Sequence, residues 1–458
     1  MSPVSHAGAV SEWRVIARHA GTVLVGQLAV MAFGVTDTIV AGRYAEGALA
    51  ALSVGSAIFI SVYVSLMGVL QALLPVWAEL HGARRTAEVG RSVRQSLYLC
   101  GFTIVLGMAV LLQPDALMRW TGVPAAMQDE VGRYLAVLAF GLPPALLFRL
   151  FGTLNQSLGK PQLVTWLQLF SLVIKLPLSV WFCFGGAGVP ALGLVGCGWA
   201  TLVVNWTMLA CALVLLRQGA FYRSYRFWQR IEPPDWHQLG RFLRLGGPGG
   251  LAVLVEVTSF TLMALFIARL GTAAAAAHQI ASNLTAVAYM MPLSLAIATS
   301  SRVSFWLGAG EPERARHACR RGFELATAMA MLFAAAMLLL RGWLAGVYSA
   351  NPEVAALAAV LLVATAGYHI ADVLQTMCVF VLRCYRVTLL PLLLYCALLW
   401  GVGLGGSYLL AYRGLGPWAA MQSPLAFWLM SAAALAVTAV LFMALLWRTI
   451  RAPATIRR

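Results

Sequence analysis

Charge is scarce in this chain. Of its 458 residues only 10% are Asp, Glu, Lys or Arg, against about 25% in a soluble domain. A water-facing surface cannot be assembled from so little charge, which excludes a soluble globular fold. Acids are scarcer than bases, with 16 Asp and Glu against 32 Lys and Arg. Paired cysteine motifs are missing. Cys100, Cys183, Cys197, Cys211, Cys319, Cys378, Cys384 and Cys396 lie mostly inside apolar runs without a CxxC. They read as small packing residues, not as a disulfide or zinc framework. No GxxxxGK[ST] loop occurs, so ATP-driven transport is not expected. No cleavable signal peptide is expected either, because the first apolar run is too long for an h-region.

What the chain has in abundance is apolar sequence, 61% of the total, with a mean hydropathy of +0.82. Residues 95–113, 191–216, 321–340 and 421–447 are nearly free of charge. Runs of roughly 20 residues are the length that crosses about 30 Å of hydrocarbon. A β-barrel is excluded, since it would need alternating segments of about ten residues. Twelve transmembrane helices are predicted near 15–42, 48–80, 95–113, 130–158, 162–185, 191–216, 241–268, 274–307, 319–341, 353–383, 387–411 and 421–447. The connections alternate in charge. One set carries Arg14 and Arg18, Arg84 to Arg94, Lys160, Arg217 to Arg244, Arg314 to Arg321, Arg383 and Arg386, and Arg448 to Arg458. The other holds only Arg43, Arg119, Arg269, Arg341 and Arg413. The positive-inside rule then puts both termini in the cytoplasm, as an even helix count requires. The +16 charge is thereby a topology signal, and nucleic acid is not an expected partner.

Shifting the chain by 226 residues lays it on itself. Arg43, Ala48, Ala50 and Ala51 fall on Arg269, Ala274, Ala276 and Ala277; Gly82-Ala83 falls on Gly308-Ala309. Arg94 meets Arg320, Gly141 meets Gly367 and Lys160 meets Arg386. The expected fold is thus an all-α integral membrane protein of two pseudo-symmetric six-helix bundles. The bundles take residues 1–220 and 241–458, joined by a cytoplasmic loop at 221–240. Two such repeats enclose a cleft near the midplane, where transporters bind substrate.

An ionised side chain at the bilayer centre costs at least about 2.5–3.5 kcal/mol, so few occur without a task. Glu256 lies about 18–20 Å from either flanking arginine, and Asp372 about 17 Å from Arg383. Tyr368 shares the Asp372 face four residues earlier. Two facing carboxylates would share a proton, bind Na⁺, or take an organic cation. The competing readings are a hydrogen-bonded structural pair and, for Tyr368, a packed ring. Asp37 sits about 9 Å from Arg43 and has water within reach, while Glu79 reads as a solvated helix-end acid. Lys175 lies about 22 Å into the fifth helix, within a side-chain length of the height of Asp37. It either pairs with Asp37 as a tethered counter-charge or snorkels along a watered path. Gln279 and Asn283 share a face near His278 and either line the cleft or join helices; His369 reads as structural. Pro177, Pro248 and Pro292 mark bends.

These residues resemble the MATE (multidrug and toxic compound extrusion) family, NorM-type branch, over essentially the whole chain. The carriers are VTDTIVAGR at 35–43, LLPVWAELHGA at 73–83, SLGKPQ at 157–162 and GLVGCGWAT at 193–201. RLGGP at 244–248, VEV around Glu256, LGTAAAAAHQIASNL at 270–284 and ADVLQ at 371–375 complete them. The resemblance implies a V-shaped twelve-helix transporter of the bacterial inner membrane, monomeric and not an enzyme. It implies export of small organic cations and amphipathic drugs by antiport with H⁺ or Na⁺, without another cofactor. It also matches Glu256, Asp372 and Tyr368 to the cation site of the C-terminal half. Asp37 corresponds to the acid of the N-terminal half, and Cys197 to a sixth-helix position linked to coupling. One departure stands out: Lys175 and Ser179 flank Pro177 where the family pattern has Asn or Asp. An ammonium there repels Na⁺, so coupling is expected through Glu256 and Asp372. The alternative is a lipid-linked oligosaccharide flippase, which calls for a basic cleft. An intramembrane protease is disfavoured, since neither acid has a GxGD-like setting.

Overall fold

In the computed structural model, residues 11–114, 118, 125–186, 188–414, 416, 417 and 419–451 are described. Arg119 and the tail from 452 to 458 lie outside them. Twelve helices are long and apolar enough to cross a membrane: α1 (Glu12–Tyr44), α2 (Gly47–Gly82), α3 (Thr86–Leu112), α4 (Met127–Ser157), α5 (Pro161–Phe184), α6 (Leu194–Gln218), α7 (Trp236–Ala268), α8 (Thr272–Gly308), α9 (Pro312–Tyr348), α10 (Pro352–Cys384), α11 (Leu389–Tyr412) and α12 (Pro424–Arg451). No β-strand occurs among the described residues. In hydrocarbon the backbone must satisfy its own hydrogen bonds, and these apolar runs do so as helices.

Several helices run past the apolar stretch that announces them. The third starts at Thr86 and the ninth spans Pro312–Tyr348, well beyond 95–113 and 319–341. Solvated helix ends lack hydrophobic periodicity but gain from ion pairs three or four residues apart. On α9 these are Arg316 with Glu313 at 2.6 Å, Arg320 with Glu324 at 3.0 Å and Arg321 with Glu324 at 2.8 Å. Helix α2 breaks at Ala72-Leu73 because Pro75 has no N–H to continue the ladder. In α11 the turns over Ala397–Gly405 widen to i→i+5 bonding, a winding that often marks functional positions.

By packing, the chain forms two units. The first is Val25–Val257; the second joins Met1–Leu24 to Thr258–Arg458. Both cuts fall inside helices, α1 and α7, and not in loops. In the first unit α4 packs against α2, α3 and α6; in the second α10 packs against α8, α9 and α12. The 226-residue shift superposes α4 on α10, so each repeat is built around the same central helix. The start of α1 is tied to the second unit by Glu12. It accepts from Arg302 Nε at 3.0 Å, Arg302 Nη2 at 2.5 Å and Trp306 Nε1 at 2.9 Å, all on α8.

The loop after α6 is clamped onto α3. Arg94 forks onto the carboxylate of Glu232 and donates from Nη1 to the Arg226 carbonyl at 2.7 Å. Gln95 donates to the Pro233 carbonyl at 3.0 Å and accepts from the Asp235 N–H at 2.9 Å. The Arg94 guanidinium holds the Glu232 carboxyl down at about 2. The depressed value means that the clamp is fully formed above about pH 4.5 and is lost as pH falls through about 2. Gly90 makes the approach possible, since a Cβ there would lie 1.8 Å from the Tyr225 carbonyl oxygen. Gly90→Ala is expected to cost about 1–3 kcal/mol locally and to release the loop. Trypsin should then cut at Arg226 and Arg230 faster than in the wild type; equal cutting rates would show that the clamp does not depend on this contact.

Candidate functional site

The first unit holds a buried ion pair. Helix α5 carries Lys175 and Ser179 one turn apart on one face, on either side of Pro177. Both reach Asp37 of α1. Lys175 Nζ lies 2.8 Å from Asp37 Oδ1 and 3.0 Å from Oδ2, and Ser179 Oγ donates to Oδ1 at 3.1 Å. Helix α6 closes the shell. Nζ also donates to the Cys197 carbonyl at 3.2 Å and to Thr201 Oγ1 at 2.6 Å. Thr201 in turn donates to the Cys197 carbonyl at 3.0 Å. Oxygens thus surround the ammonium and satisfy its three N–H groups, while Lys175 is 0% exposed. Gly196 lets α6 come this close, because a Cβ there would sit 2.4 Å from the Phe182 carbonyl oxygen.

A lysine with no water contact in an apolar unit is stable only when paired and fully hydrogen-bonded, and here it is both. Of the residues singled out in the sequence, the structure brings Asp37, Lys175, Ser179 and Cys197 together, the last through its backbone. Thr201 is the member that sequence reasoning passed over. Its signal was the spacing of four from Cys197, which places both on one helix face.

The second unit contains Asp372 on α10, 2% exposed. Gln375 Nε2, one turn on, donates to Asp372 Oδ1 at 3.3 Å and to Thr376 Oγ1 at 3.2 Å. Tyr368, one turn back, is buried in an aromatic cluster. Its ring meets Trp428 edge-on at 5.7 Å and Phe260 at 6.1 Å, and those two rings lie 6.3 Å apart. Beside them is a small cavity of about 20 Å³ lined by Ser259, Phe260, Met263, Tyr368, Ser407 and Ser431, with the widened turns of α11 on one side. That volume admits a water molecule, not a drug. The His278 ring lies tilted beside Trp428 at 5.8 Å with Ser282 Oγ at 3.3 Å, and His369 packs near Phe333 at 5.8 Å. Gln279 donates to Asn283 at 3.2 Å along the exposed face of α8. Glu256 is half-buried on α7 and belongs to the first unit, whereas Asp372 belongs to the second. No cluster of three or more His, Cys, Asp or Glu suited to a metal occurs among the described residues.

Comparison with known proteins places this architecture. The chain is 38% identical over 441 residues to the Probable multidrug resistance protein NorM of Aromatoleum aromaticum, covering 96% of this chain and 95% of that one. It is 36% identical over 419 residues to the protein of the same name from Chromobacterium violaceum, covering 91% and 90%. Among solved structures, the eukaryotic MATE transporter AtDTX14 superposes with a TM-score of 0.85 at 19% identity, over 96% and 97% of the two chains. The Vibrio cholerae MATE transporter VcmN in its bent form gives 0.82 at 19% identity over 96% and 97%. The MatE family model matches residues 23–181 and 248–409, one segment in each repeat. The chain is a multi-pass membrane transporter of the MatE family.

Proposed function

We propose that the protein exports cationic and amphipathic organic compounds in exchange for entering H⁺ or Na⁺, by alternating access. The observation that carries this reading is Asp372, a carboxylate with 2% exposure in a central helix. A buried carboxylate holds a cation or a proton far more readily than it stays bare. One acid cannot serve a coupling ion and an organic cation at once, so occupancy by either expels the other. Tyr368, Phe260 and Trp428 supply quadrupolar faces that suit a desolvated organic cation. Glu256 is the second coupling acid in this scheme, and Asp37 is set apart because Lys175 already neutralises it.

The names of the curated relatives and the family match favour drug export over oligosaccharide flipping. In this reading the protein sits in a bacterial inner membrane with both termini in the cytoplasm, which the arginine-rich loops support through the positive-inside rule. The test is ethidium movement in proteoliposomes under an imposed H⁺ or Na⁺ gradient. Dye should move against its own gradient with at least one of the two ions; no movement with either would remove the proposal.

A further inference from the structure

The central helix of the first unit carries a cation that the coupling scheme leaves unused. Arg149 on α4 is only 8% exposed. Its Nε and Nη2 are buried without a hydrogen-bond partner, and among the described residues no carboxylate lies within ion-pair distance of it. The other cations inside the two units are provided for. Lys175 spends its donors on Asp37, Cys197 and Thr201, Arg94 on Glu232 and Arg226, and Arg302 on Glu12. Arg383 lies over the Phe380 ring at 4.8 Å. A guanidinium cannot discharge itself by losing its proton, so its donors need an acceptor.

The internal repeat says where that acceptor is missing. The 226-residue shift puts Arg149 on Gln375 and Leu146 on Asp372. In the second unit the donor at 375 reaches a carboxylate three residues earlier on the same helix. In the first unit the donor is kept and strengthened to a guanidinium, but its built-in acceptor is replaced by leucine. Tyr63 of α2 lies near the guanidinium and brings a hydroxyl, not a charge. We propose that Arg149 is the receptor for a diffusible monovalent anion, a carboxylate or chloride, which supplies the counter-charge that the first unit lacks. The planar fork of arginine matches a carboxylate in two parallel hydrogen bonds and accommodates a halide between its N–H groups. A substrate carrying a carboxylate beside its ammonium would therefore be received at Arg149, and a substrate without one would leave the site to chloride.

The experiment has two arms. In the first, purified protein in isethionate is exchanged into chloride or acetate at constant ionic strength, and the melting temperature is followed. Wild type should gain several degrees with saturation, as ligand linkage requires; Arg149→Gln should gain none, and Arg149→Lys, which keeps the charge without the fork, should gain less. The second arm compares transport of a fluoroquinolone with that of its methyl ester in proteoliposomes. Wild type should prefer the acid, and Arg149→Gln should move both equally. This arm rests on the export reading; the thermal arm does not, so the two failures are distinguishable. An anion-dependent melting shift alone assigns the site to free anion, and acid preference alone assigns it to the substrate carboxylate. Should Arg149→Gln fail to fold, the wild-type titration and Arg149→Lys still decide. Anion-independent melting of the wild type together with equal transport of acid and ester overturns the proposal.

Discussion

Replacing Asp372 by Asn, or Glu256 by Gln, is expected to reduce gradient-driven ethidium export to the level of empty liposomes. Each change keeps the side-chain volume and removes only the ability to hold a proton or a metal cation. An amide at 372 still meets Gln375, whose Nε2 lies 3.3 Å from the present Oδ1. Removing a buried charge while keeping shape is neutral or favourable to folding, so Asp372→Asn should purify in normal yield with an unchanged or higher melting temperature. The measurement therefore separates coupling from stability. Full export by both variants at normal expression would sink the assignment of coupling to these two acids.

The second large effect concerns Lys175. Lys175→Met should cost about 3–5 kcal/mol, the range for removing one partner of a buried ion pair. It leaves the Asp37 carboxylate buried without its cation, with Ser179 Oγ still donating to it. Adding Asp37→Asn to Lys175→Met should recover most of that loss, because neither charge is then left alone. The quantity to measure is the coupling free energy of the double-mutant cycle from reversible unfolding in mixed micelles. If the double variant is as unstable as Lys175→Met, the ammonium contributes packing and not charge, and the pairing carries no weight.

The number and rough position of the helices were legible because hydrophobic run length is a local property. Helix ends were less so: the extension of α9 to Pro312 rests on Arg–Glu pairs that solvated surfaces of any kind carry. Depth along a helix is also readable, since each residue adds a fixed rise, and this matched Asp37 with Lys175 in height. What surrounds them was not readable. The contribution of Thr201 and the Cys197 carbonyl depends on how α6 is rotated and how near Gly196 lets it come. The clamp of Arg94 on Glu232 spans 138 residues and leaves no periodic trace. Arg149 stood in plain view as a lone base within an apolar run, but only burial shows its Nε and Nη2 to be without a partner. The packing boundaries inside α1 and α7 are likewise invisible to a reading that divides the chain at its loops.

The oxygen shell around Lys175 has a consequence for how the first unit responds to its surroundings. A diffusible ion fills its site according to concentration and dissociation constant, so its occupancy rises and falls with the salt on either side of the membrane. The ammonium of Lys175 is carried by the chain itself, at a local concentration that no bath composition alters. Mass action therefore has no hold on that position. The charge on Asp37 is balanced alike in sodium, in potassium and in their absence.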